Sequence, residues 1–206
     1  MSLVAISGNA SGTGTLTIAA PNTNSNYTLT LPQATTTLVG TDATQTLTNK
    51  TIQGGAITSG TAVASTSGTS INFTSIPSWV KKITVMFQGV STSGTSFTQI
   101  QLGTGSTTYT TSGYVGGAYN GGGTAFSAGF IFSQAGSAVD TRSGIATITN
   151  ITGNAWAISG AVGVGGGGGS LFGGAITLSA TLTAVRITTV NGTDTFDAGS
   201  INILYE

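Results

Sequence analysis

The sequence predicts an all-β protein, with an extended N-terminal stalk segment that orders as a trimer and a C-terminal jelly-roll-like β-sandwich. Three observations predict this fold. No long stretch places apolar residues at i, i+3, i+4 and i+7, the spacing of an amphipathic helix. Thr, Ser and Gly are abundant; Thr favours strands, and Gly marks the turns between them. From about residue 70 onwards, short alternating apolar stretches are separated by turn clusters.

The extended N-terminal stalk segment is predicted to cover residues 1–60. It contains no Trp or Phe, and Tyr27 is its only aromatic residue. Its apolar residues come in small groups such as Leu29 and Leu31, and each group has too little apolar surface to form a core by itself. Because ordering one residue costs about 1–2 kcal/mol of backbone entropy, a single copy gains little by folding. Three copies around one axis would give each apolar group a partner; the alternative is a disordered linker.

Residues 61–70 (TAVASTSGTS) are predicted to be a hinge, because small polar residues dominate them. Residues 71–206 are predicted to form the head domain, and its strands alternate well: Ile83, Val85 and Phe87 share one face. About eight strands at short spacing indicate a two-sheet sandwich, with the jelly roll as the favoured version. The strands are predicted at residues 71–73, 82–88, 97–102, 126–132, 145–151, 155–162, 171–178, 185–190 and 201–205.

Two glycine-containing sequences predict connections in the head domain. The pair Asn191-Gly192 predicts a tight hairpin turn. The run from Gly165 to Gly169 cannot hold a strand by itself, which predicts a mobile surface loop. The alternative for this run is a close approach of backbones near a symmetry axis, where only glycine fits.

The charge content excludes several classes of partner. Charged residues make up 5% of the chain, against about 25% in a typical soluble protein, and the net charge is +0. No basic surplus is present to neutralise phosphates, so no nucleic-acid partner is expected.

No apolar run is long enough to predict insertion into a membrane. The residues after Met1 lack the features of a signal peptide, so export by the general secretory route is not expected. Low charge with high β-propensity favours edge-to-edge association, so burial in an oligomer is expected.

The sequence offers little for catalysis, and no enzyme activity, cofactor or metal site is predicted. It has 0 His and 0 Cys, so the usual nitrogen and sulfur ligands of transition metals are missing. Asp194 and Asp197 are expected to accept hydrogen bonds from turn amides; the alternatives are a glycosidase-type carboxylate pair and a Ca²⁺ site. Asp140 and Arg142 are expected to form an exposed pair, a contact worth roughly 0–1 kcal/mol.

Aromatic residues supply the candidate binding residues. Tyr109, Tyr114 and Tyr119 lie in a glycine-rich stretch with little apolar company. A loop tyrosine combines rigid area with a terminal hydroxyl, which suits sugars and protein surfaces, so these three are the candidate receptor contacts. The alternative is that they cap one end of the sandwich. Trp156 is expected in the core, and Trp79 in the core or at an interface.

Several segments resemble those of bacteriophage tail fibre and fibre-like virion proteins. Residues 38–52 contain DATQTLTNKTI, which resembles a stretch of those proteins, and residues 14–21 and 27–32 are similar to the segments that precede it there. Residues 76–87 and 196–206 resemble the start and end of a C-terminal domain found on such proteins. The resemblance is looser between about residues 103 and 180.

The resemblance implies a homotrimeric structural protein of the virion, assembled in the host cytoplasm. Its N-terminal segment would attach to other virion proteins, and its distal head would bind a bacterial surface glycan or protein. Tail fibres are usually much longer than 206 residues. The chain therefore also suits a minor tail appendage, or a capsid fibre or decoration protein that coats or stabilises the particle. A glycan-cleaving enzyme is a third alternative, which would need carboxylates converging in a groove.

Overall fold

The computed structural model divides the chain into two units, Met1–Lys50 and Thr51–Glu206. The residues it describes are 11–14, 22–26, 28, 57–134 and 136–206. In the first unit they show a local turn contact, in which the backbone amide of Ser25 donates to Thr23 Oγ1 at 3.1 Å. Most of the predicted stalk lies outside the described residues, and its trimeric order remains a prediction.

The described part of the second unit is built from thirteen β-strands and contains no helix. It accordingly offers no helix of the length and apolarity needed to cross a bilayer. The strands are β1 (Thr58–Ser59), β2 (Val63–Ala64), β3 (Ser70–Phe73), β4 (Lys82–Thr92), β5 (Thr98–Gly103), β6 (Val115–Tyr119), β7 (Gly123–Ala125), β8 (Phe130–Ser133), β9 (Arg142–Thr152), β10 (Ala155–Val164), β11 (Gly168–Thr177), β12 (Ala184–Thr189) and β13 (Phe196–Tyr205).

Two antiparallel sheets contain these strands, which confirms the all-β prediction. The larger sheet has nine strands in the order β1-β13-β4-β9-β10-β11-β6-β7, with β2 also paired to β13. The smaller sheet has four strands in the order β3-β12-β5-β8. Short strands end both sheets, which limits the unpaired backbone available for edge-to-edge aggregation.

The core lies between the sheets and follows the predicted alternation. Ile83, Val85 and Phe87 are buried on one face of β4, as expected. The ring of Phe87 stacks on that of Phe132 from the smaller sheet, with centroids 4.3 Å apart. Trp156 is buried, as predicted. Trp79 is 56% exposed, with its ring centroid 6.0 Å from that of Tyr205, so it does not belong to the core, and its alternative placement at an interface stays a prediction.

The segment predicted as a hinge runs along β13. Both β1 and β2 pair with that strand, and Ser65 is fully buried, with its hydroxyl donating to the carbonyl of Ala198 at 2.8 Å. Phe196 N donates to the carbonyl of Gly68 at 2.8 Å. Small polar side chains that suggest a hinge in the sequence also let a backbone lie closely against a sheet edge.

Two glycine-rich stretches form strands and a turn. β6 and β7, which the sequence did not predict, pair with each other at the far edge of the larger sheet. Gly165 to Gly167 form the hairpin turn between β10 and β11, whereas Gly168 and Gly169 pair with β10 as the start of β11, which corrects the prediction of a surface loop over the whole run. Gly166 and Gly167 have φ values of 92° and 96°, a conformation that favours glycine, so turn geometry accounts for glycine at these two positions.

Arg142 corrects the expectation of an exposed ion pair with Asp140. The side chain is completely buried; Nε donates to Ser133 Oγ at 3.2 Å, and Nη1 donates to the backbone carbonyl of Asp140 at 3.1 Å. Burial lowers the pKa of Arg142, while the charges of Asp140 and Asp197 oppose that shift. The residue begins β9, which has neighbouring strands on both sides, so it lies within the sheet and not in a solvated turn.

Candidate functional site

The outer face of the smaller sheet is polar. Along β12 and β5 the apolar residues, such as Ile187 and Ile100, point into the core, and the residues between them point outwards. The register aligns these outward residues across β3, β12 and β5. One row contains Asn72, Arg186 and Gln101, and the next contains Ser70, Thr188 and Gln99.

A groove of about 280 Å³ lies on this face. Its floor includes both glutamines and Arg186, while Thr111, Ala128 and Asn191 belong to the segments around it. Gln99 and Gln101 are 3% and 4% exposed although they point away from the core, because these segments fold over the sheet. The result is a concave site lined largely by amides and hydroxyls, with one guanidinium.

Tyr109 lies against the sheet beside the groove. Gly103 forms an isolated β-bridge with Tyr109, and a Cβ on Gly103 would lie 2.9 Å from Tyr109 Cδ1, so glycine leaves room for the ring. The Arg186 guanidinium carbon lies 4.2 Å from the centroid of this ring, which is within cation–π range. Partial burial raises the pKa of Tyr109, and the charge of Arg186 opposes that shift. The phenol therefore stays neutral near pH 7 and supports the cation through its ring.

Arg186 is held on a second side by Gln101. Arg186 Nε donates to Gln101 Oε1 at 2.9 Å, and Nη2 donates to the same oxygen. Gln101 is fixed in turn, because its Nε2 donates to the carbonyl of Ala128 at 2.7 Å. Within the described residues, Arg186 has no carboxylate partner and its Nη1 has no hydrogen-bond partner. The groove thus contains an oriented cation with donors still available.

The rest of the floor is fixed by backbone contacts. Gln99 Nε2 donates to the carbonyl of Thr189 at 3.2 Å, and Thr188 Oγ1 donates to the carbonyl of Thr69 at 2.9 Å. A Cβ on Gly129 would lie 2.7 Å from Gln99 Oε1, so a glycine there allows the covering segment to lie close to the floor. Side chains held in this way keep the groove preformed, which lowers the entropy cost of binding.

The predicted Asn191-Gly192 turn borders the groove and is stabilised by Asp194. This carboxylate accepts hydrogen bonds from Asn191 Nδ2 at 2.7 Å and from the amide of Ser96 at 2.9 Å. These two hydrogen bonds lower the pKa of Asp194 below its ordinary value, and the bond from Asn191 has the larger effect. The turn role expected of Asp194 is confirmed. Among the residues that the structure describes, no three acidic side chains come together as metal ligands.

The three candidate tyrosines do not form one exposed patch. Tyr109 lies beside the groove and contacts Arg186, whereas Tyr119 is 59% exposed on β6 of the other sheet. Tyr114 is buried, which corrects its assignment as an exposed contact; its hydroxyl accepts from Leu102 N at 2.9 Å and donates to the Thr110 carbonyl at 3.1 Å. Burial raises the pKa of Tyr114 to about 12. Tyr114 holds the segment around Thr110 and Thr111, which borders the groove, to β5, and its hydroxyl is not available to a ligand.

Sequence reasoning missed the main residues of the groove, namely Arg186, Gln101 and Gln99. A signal was present, since both glutamines alternate with Ile100 and Leu102, and this places them opposite the core face. The sequence did not show that β5 and β12 are neighbours, so the pairing of Arg186 with Gln101 could not be derived.

Comparisons with known proteins add no relative: no family model, curated protein or solved structure matches the chain significantly.

Proposed function

We propose that the chain is a structural fibre protein of a bacteriophage virion, a tail fibre or appendage whose head domain adheres to the host surface. The groove carries this proposal, because a preformed polar cavity with an oriented cation suits recognition of a glycan or a protein on a cell surface. The resemblance of residues 38–52 to phage fibre proteins supplies the virion context. Attachment to other virion proteins is assigned to the N-terminal segment.

The chemistry of the groove supports adhesion over cleavage. A glycosidase ordinarily uses two carboxylates on either side of the scissile bond. The described residues that line the groove include no Asp or Glu. Arg186 is the charged residue in that lining, and a guanidinium stays protonated and binds anions. We therefore propose a binding role without catalysis.

The path of the chain supports a jelly-roll-like description of the head. Within the described residues the chain passes between the larger and the smaller sheet eight times, at β2 to β3, β3 to β4, β4 to β5, β5 to β6, β7 to β8, β8 to β9, β11 to β12 and β12 to β13. Such repeated crossing is typical of Greek-key sandwiches, the group to which jelly rolls belong.

An apolar row on the outer face of the larger sheet supports the homotrimer. Met86, Ile145, Ala161, Leu171 and Tyr119 are successive register partners across β4, β9, β10, β11 and β6. Ile145 and Leu171 are 51% and 63% exposed, and contiguous exposed apolar surface marks interaction sites. The row is uncharged, so a sister chain would bury it without desolvating an ion. We assign this face to contacts between copies of the chain.

The second candidate function is a capsid fibre or decoration protein, which the same exposed apolar row would also suit. Electron microscopy of intact particles, with an antibody against the head domain as label, separates the two. We expect label at the tail. Label spread over the capsid would favour decoration, and purified particles without the protein would remove the virion assignment altogether.

A further inference from the structure

We propose that the groove binds an acidic sugar unit, with the carboxylate of a hexuronate-type residue on Arg186 and the sugar hydroxyls on the polar side chains around it. This inference rests on the proposed adhesive function and names the class of ligand that the head would take. It follows from the donors left open on Arg186, the size of the groove and the chemistry of its lining.

The open donors of Arg186 match a carboxylate. Gln101 occupies the edge of the guanidinium formed by Nε and one N–H of Nη2. The end formed by Nη1 and the second N–H of Nη2 has no partner among the described residues. Two parallel N–H groups at this end fit the two oxygens of a carboxylate, and the paired hydrogen bonds that result are short, strong and geometrically specific. The guanidinium lies over the ring of Tyr109, and this contact keeps it in place.

The remaining lining matches a polyhydroxyl compound. Side chains of Ser70, Thr188 and Asn191 line the groove together with the two glutamines, and they supply hydroxyl and amide groups. A volume of about 280 Å³ lies close to the lower end of the range for small-ligand sites, about 300–1,000 Å³, which suits a single sugar unit. The polar share of the lining exceeds the apolar share, which favours a sugar over a lipid tail or a flat aromatic ligand.

The test is an NMR titration of the full-length protein with sodium glucuronate, in parallel with glucose and sodium acetate. We expect glucuronate to bind more tightly than either, because only glucuronate offers both the carboxylate and the hydroxyls. Arg186→Gln is expected to weaken glucuronate binding by at least about tenfold. Lys81→Gln removes the same charge from an exposed residue outside the groove and is expected to leave binding unchanged.

Arg186→Lys tests the geometry as well as the charge. A lysine keeps the positive charge but lacks the planar fork, so this variant is expected to bind more weakly than wild type. Amide spectra of both Arg186 variants report whether the fold is retained, and Arg186→Lys remains informative if Arg186→Gln does not fold.

Three results would overturn the inference: no glucuronate binding by wild type, equal binding by wild type and a folded Arg186→Gln, or acetate binding as tightly as glucuronate. The last would leave a general anion site without sugar recognition. If glucuronate does not bind but the antibody labels the tail, the acidic-sugar inference is wrong and the proposed fibre function is retained. If glucuronate binds but the protein is absent from purified particles, the fibre function is wrong and the sugar-binding groove is retained.

Discussion

Replacing Phe130 with alanine is expected to lower the free energy of unfolding of the head by about 3–5 kcal/mol, because it deletes a fully buried ring and leaves a cavity. The Phe130 ring meets Tyr114 edge to face at a centroid distance of 4.7 Å and Phe126 at 5.6 Å. Both partners lie in the glycine-rich region before β8. The variant should therefore also loosen the segments that cover the groove.

Urea unfolding, monitored by the fluorescence of buried Trp156, measures the effect of Phe130→Ala at a fixed protein concentration. Ile151→Ala is the matched control, since Ile151 is 63% exposed and its truncation should change stability by no more than about 0.5 kcal/mol. A loss below about 1 kcal/mol for Phe130→Ala would mean that the two sheets do not pack around this ring.

Gly116→Ala is expected to cost about 2–4 kcal/mol through a combination of backbone strain and overpacking. Gly116 has a φ of 120°, where side chains are rarely found. A Cβ there would lie 2.3 Å from the carbonyl oxygen of Gly173 on the neighbouring strand β11. The extra methyl group would push β6 away from β11 at the end of the larger sheet.

Gly123→Ala is the control for this prediction. Gly123 begins the neighbouring strand β7, and a Cβ there would meet no atom within 4 Å. Thermal unfolding of the two variants at equal concentration should separate them clearly, with Gly123→Ala close to wild type. Similar melting temperatures for both would show that β6 does not lie as close to β11 as described.

Side-chain alternation made much of the sandwich predictable from the sequence. Val85 and Phe87 identify their face of β4 without any knowledge of neighbouring strands, because the period of two is local. The strands β6 and β7 were not predictable in this way. Gly116 and Gly117 have no side chain to show alternation, and their role depends on the close approach of another strand.

The groove could not be predicted from the sequence, because its residues come from strands that are distant in the chain. Arg186 and Gln101 are 85 residues apart in the sequence, and only the pairing of β12 with β5 brings them together. Tyr109 could be singled out as an aromatic in a glycine-rich stretch, but its position beneath a guanidinium depends on that same pairing. Tyr114 has the same sequence context and is buried, because its hydroxyl finds two backbone partners.

The measurement that tests the central claim most directly is the mass of the full-length protein in solution, by light scattering across a range of micromolar concentrations. If the protein is an obligate trimer, the measured mass is expected to be three times the 20.2 kDa of a single chain at every concentration. A constant 20.2 kDa would contradict the account. It would mean that neither the N-terminal segment nor the apolar row requires a sister chain.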